Sequence, residues 1–81
     1  MISIRQVKAA RALLGWSQDD LAENSGVSKP TVARLETADN NALGGYPSTR
    51  NKIVRALEKA GVIFVEENGE GPGVRLTKGK R

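Results

Sequence analysis

The side chains able to do chemistry in this chain are mostly cations and hydroxyls, and they gather in two short segments. Ser28, Lys29, Thr31 and Arg34 stand in one; Tyr46, Ser48, Arg50 and Lys52 stand in the other. Groups of this kind donate hydrogen bonds to phosphates and to the edges of bases, which is binding chemistry. Bond-breaking chemistry is poorly supplied. There is no histidine and no cysteine, so the commonest general base, the thiolate nucleophile and the disulfide are all excluded. Nine acidic residues remain, without the tight clustering of a metal site. An enzyme is therefore not expected, nor a cofactor, nor a metal.

Thirteen Lys and Arg against nine Asp and Glu leave a formal charge of +4, which suits a polyanionic partner. Charge alone does not single out nucleic acid, because many soluble domains are mildly basic. The 81 residues allow one small core. The opening MISIRQVKAARALLG reads as an amphipathic helix and not as a signal peptide, since Arg5, Lys8 and Arg11 interrupt its apolar positions. No stretch approaches the roughly 20 apolar residues of a membrane span. A cytoplasmic protein without membrane contact is expected.

The elements that must position these groups are legible from capping chemistry. Ser3 and Gln6 form a capping box, Ile4, Val7, Ala10 and Leu14 recur at helical spacing, and Gly15 suits a left-handed stop. Ser17 opens a second helix with Asp19 and Asp20 in its first turn, and Asn24-Ser25-Gly26 ends it. Ser28 caps a third, with Lys29 and Pro30 in the first turn and Val32 and Leu35 facing inward. Thr37 to Pro47 reads as a loop, broken by Asp39-Asn40-Asn41 and Gly44-Gly45. Ser48 is the expected cap of a fourth helix, which runs to Ala60 and stops at Gly61. The period then changes. Val62 to Val65 and Val74 to Thr77 read as two strands, with the loop Asn68 to Gly73 between them. That loop is rich in glycine but lacks the Gly-Lys-Ser/Thr of a phosphate loop.

The expected fold is mostly α: four helices with a helix-turn-helix, followed by a short C-terminal β-hairpin. Residues 1–61 form the helical domain, 62–77 the β element and 78–81 a basic tail in this division.

Ser17 to Leu35 carries the most information. Two short helices meet at Gly26, Ala22 is small where they cross, and Val27, Val32 and Leu35 hold the second against the first. This is the pattern of a helix-turn-helix, whose second helix enters the major groove. Gly15-Trp16-Ser17-Gln18, Leu21-Ala22, Gly26-Val27-Ser28, Thr31-Val32 and Leu35-Glu36 together resemble the Cro/repressor-type (XRE-like) helix-turn-helix family, over roughly Val7 to Ala60. The resemblance implies double-stranded DNA as partner and assigns roles. Lys29, Thr31 and Arg34 match outward positions that read bases. Gln18 and Ser28 match residues that meet the phosphate backbone, and Tyr46, Ser48, Arg50 and Lys52 lie where relatives run along it. Arg34 has the fork for a bidentate contact to guanine. Arg11 and Glu36 match a pair that ties the first helix to the end of the third, a structural role. Trp16 stands where relatives keep a large apolar core residue. Pro30 is a departure, since relatives often carry a polar side chain there.

Two functions follow. One is a transcriptional regulator, a repressor acting as a homodimer on a two-fold symmetric site. The apolar run Val62, Ile63, Phe64 and Val65 is its expected dimer element. The other keeps the fold but uses Val62 to Thr77 to bind another protein, as an antitoxin or adaptor does.

Overall fold

A computed structural model describes residues 2–37, 46–66 and 69–77. Among them the order is α1 (Ile4–Leu14), α2 (Gln18–Ser25), α3 (Lys29–Thr37), α4 (Pro47–Lys59), β1 (Val62–Val65) and β2 (Gly73–Leu76). The breakers Asp39-Asn40-Asn41 and Gly44-Gly45, Asn68 and the basic tail lie outside the described residues.

Capping sets the helix limits. The Ser3 hydroxyl accepts from the Gln6 N–H at 3.1 Å, and the Ser3 N–H donates back to Gln6 Oε1 at 2.8 Å. Gly15 ends α1 at φ 70°, and the Trp16 N–H reaches back to the Arg11 carbonyl at 2.9 Å, a left-handed cap of the Schellman kind. In α2 the acidic first turn does more than meet the helix dipole: Asp20 Oδ2 accepts from the Ser17 N–H at 2.9 Å and completes a capping box. The turn into α3 passes through Gly26 at φ 77°, a conformation that side chains with a Cβ disfavour.

The fourth helix corrects an expectation. Tyr46, and not Ser48, is its N-cap, and no side chain caps it. Pro47 takes the first helical position, where its preset φ and missing N–H fit. Ser48 is thus inside the first turn, and the helix closes at Lys59 with Ala60 as cap.

Ile4, Val7 and Ala10 from α1, Leu21 from α2, Val32 and Leu35 from α3, and Ile53 and Leu57 from α4 meet in one core, with Val27 from the turn. Val62 joins them at 3 % exposure, and Trp16 packs half-buried against the same cluster. The two strands form an antiparallel sheet with Val62 opposite Leu76 and Val65 opposite Gly73. Strand β2 begins one residue before the expected Val74 and lies against α1; β1 lies against α4. No helix among the described residues is long and apolar enough to cross a membrane.

Candidate nucleic-acid interface

Helix α3 has one buried and one open side. Val32, Leu35 and Glu36 are buried, at the spacing that lines one face of a helix. Pro30, Arg34 and Thr37 are exposed at the complementary spacing and form the outward face. Thr37, expected to open the loop before α4, is instead the last residue of α3; its place a full heptad after Pro30 was the available signal. Its hydroxyl donates to the Ala33 carbonyl at 2.7 Å, so its methyl is the freer part.

The expected base-reading residues differ in how far they are committed. Arg34 is exposed, with no hydrogen-bond or ionic partner among the described residues. Lys29 is exposed at the start of α3, its ammonium 3.2 Å from Asp19 Oδ1. Such a surface pair is weak and easily exchanged for a phosphate. Thr31 is half-buried and shares the cap of α3: the Ser28 hydroxyl donates to Thr31 Oγ1 at 2.9 Å and accepts from the Thr31 N–H at 3.4 Å. Ser28 itself is exposed.

A polar node behind α3 holds it in place. The Arg11 guanidinium grips Glu36 from two nitrogens, Nε to Oε2 at 2.8 Å and Nη2 to Oε1 at 2.6 Å. Its Nη1 donates to the Trp16 carbonyl at 2.9 Å. Gln18 Nε2 adds a bond to Glu36 Oε1 at 3.1 Å. Glu36 is only 4 % exposed, so a single buried carboxylate joins α1, α2 and α3 and receives donors at both oxygens. The amide of Gln18 therefore braces α3 from the start of α2. The turn between α2 and α3 is tied as well, for the Val27 N–H donates to Ser25 Oγ at 3.2 Å.

At the start of α4, Tyr46 is 80 % exposed and Ser48 and Lys52 are exposed, while Arg50 is half-buried. The helix has no side-chain cap, so the first-turn N–H groups of Ser48 and Thr49 have no partner from a capping side chain. Arg50 Nε is buried without a hydrogen-bond partner among the described residues. Free amides, a hydroxyl and a guanidinium at one helix start can bind an anion. Arg55 and Lys59 are exposed at helical spacing from Lys52, a basic continuation that the sequence reading passed over.

Residues 7–43 match the helix-turn-helix family of the Cro/C1 (XRE) type. Domains of that type bind DNA in transcription regulation and are not typically enzymatic, and the likeness spans the α2–α3 helix-turn-helix. No curated protein matches the chain closely enough in sequence to count as a relative.

Proposed function

We propose that the protein is a sequence-specific DNA-binding regulator that represses transcription as a homodimer on a two-fold symmetric site. The observation that carries this reading is the division of labour on α3. Its inner side is locked by Glu36, while its outer side presents Arg34 without a partner among the described residues. A rigid helix with an uncommitted guanidinium is prepared for the bidentate contact that guanine offers in the major groove. Lys29 and Thr31 contribute base contacts beside it. Ser28, Gln18 and the start of α4, with Tyr46, Ser48, Arg50 and Lys52, hold the phosphate backbone and set the register. One short helix reads only a few base pairs, which is why a second copy is needed for useful affinity.

The test is affinity selection from a random duplex library at moderate salt. The expected product is a two-fold symmetric motif with half-sites about 34 Å apart, bound with steep salt dependence. Absence of any enriched motif, with tight and salt-insensitive binding of a protein through residues 62–77, would overturn it in favour of a protein-binding module.

A further inference from the structure

We propose that Pro30 is a specificity-determining residue: its ring packs on the C5 methyl of a pyrimidine stacked beside the guanine that Arg34 holds. The protein then reads a thymine next to that guanine and responds to methylation of a cytosine placed there. This rests on the DNA-binding part of the function proposed above and names a feature its site must carry. Pro30 precedes Arg34 by four residues on α3, and both are exposed. Residues four apart are neighbours on a helix surface, with about 5–6 Å between Cβ atoms. Helical side chains also lean toward the N-terminus, so the Arg34 chain runs back over the turn that Pro30 occupies. The outward face thus sets a guanidinium beside an apolar ring.

Hydrogen-bonding groups on this face are few. Pro30 has no polar side-chain atom and no N–H. Thr37, the third outward residue, spends its hydroxyl hydrogen on the Ala33 carbonyl at 2.7 Å. Of the three, Arg34 alone keeps its donors without a partner among the described residues. One fork beside one apolar surface has a counterpart in the major groove, where guanine offers O6 and N7 and thymine offers a methyl. Successive bases of a strand lie about 3.4 Å apart, so a fork seated on guanine brings the adjacent ring to the next base. A proline ring has no rotamers to freeze, so this contact costs little ordering. Cytosine has hydrogen where thymine has the methyl and leaves the ring facing water, whereas 5-methylcytosine restores the contact. Pro30 also presets the first turn of α3. That structural role is indifferent to a methyl on the DNA, which separates the two.

The experiment measures affinity of the full chain for the duplex it selects. The thymine beside the Arg34-dependent guanine is replaced in turn by uracil, cytosine and 5-methylcytosine. Uracil differs from thymine by the methyl alone. The expected result is about fourfold weaker binding with uracil, the worth of one buried methyl-sized group, and about fourfold tighter binding of 5-methylcytosine than of cytosine. Pro30→Ser removes both differences with unchanged helical circular dichroism. The wild-type comparison decides whether or not that variant folds. A selected motif with no thymine beside the guanine, or uracil bound as tightly as thymine, would overturn the proposal and leave the proposed function standing. A uracil penalty that persists in folded Pro30→Ser would overturn it too, assigning the methyl to another residue. A monomer that selects a single half-site and keeps the uracil penalty would overturn the homodimer reading and leave this contact standing. Selection of no motif would overturn both.

Discussion

The two ends of α1 hold the two working parts of the molecule by different means. Near its C-terminal end, Arg11 grips Glu36 and so anchors α3 through an ion pair with a buried carboxylate. Near its N-terminal end, Gln6 anchors the hairpin with a neutral amide. Gln6 is 5 % exposed; its Oε1 accepts from Ser3, and its Nε2 donates to the Val65 carbonyl at 3.2 Å and the Gly73 carbonyl at 3.0 Å. The ionic clamp fixes a helix by its side chain. The amide clamp fixes a strand pair by its backbone and is blind to strand side chains. That difference leaves the hairpin's outer residues open to change, whereas the outward face of α3 depends on one buried acid.

Breaking each clamp sharpens the contrast. Glu36→Ala strands the Arg11 guanidinium and is expected to cost about 3–5 kcal/mol of folding stability by denaturant titration, with DNA affinity falling alongside. A loss under about 1 kcal/mol would show that the node is ornamental. Gln6→Ala leaves partners of the amide unpaired and is expected to cost about 1–3 kcal/mol. Its loss falls on the hairpin first: amides of β1 and β2 exchange faster while those of α2 and α3 hold, and equal loosening of both regions would erase the comparison. Arg34→Ala touches neither clamp. Stability stays within about 0.5 kcal/mol, and the specific site is bound about 1–3 kcal/mol more weakly. Smallest is Arg50→Ala, which weakens all sequences alike and lowers the salt slope by about 1.

How much of this could be read from the sequence follows the range of the interaction. The Ser3, Ser17, Gly15 and Gly26 signals were legible because their partners lie within one turn. The start of α4 was misread. Ser48 looks like a cap, but Pro47 claims the first helical position and makes Tyr46 the N-cap, a residue with no capping signature. Gln6 was half legible. Its capping box is local, but its hairpin bonds go to backbone carbonyls 59 and 67 residues away, and a carbonyl carries no residue type to recognise. Strand β2 opens on Gly73, which reads as loop, because the ladder and the Gln6 bond outweigh its weak strand preference. In the interface, Arg11 and Glu36 were visible only through resemblance, since nothing in their spacing shows that they meet. Thr31 drew attention by type, and its bond with Ser28, three residues away, was within legible range but hidden behind the cap role given to Ser28 alone.

The most direct test of the central claim, that the outward face of α3 reads sequence, is parallel affinity selection with the wild-type chain and Arg34→Ala. The expected outcome is one two-fold motif for both proteins, with a single base position per half-site, and its symmetry mate, relaxed in the variant. Uniform weakening at every position would make Arg34 a phosphate contact and contradict the account.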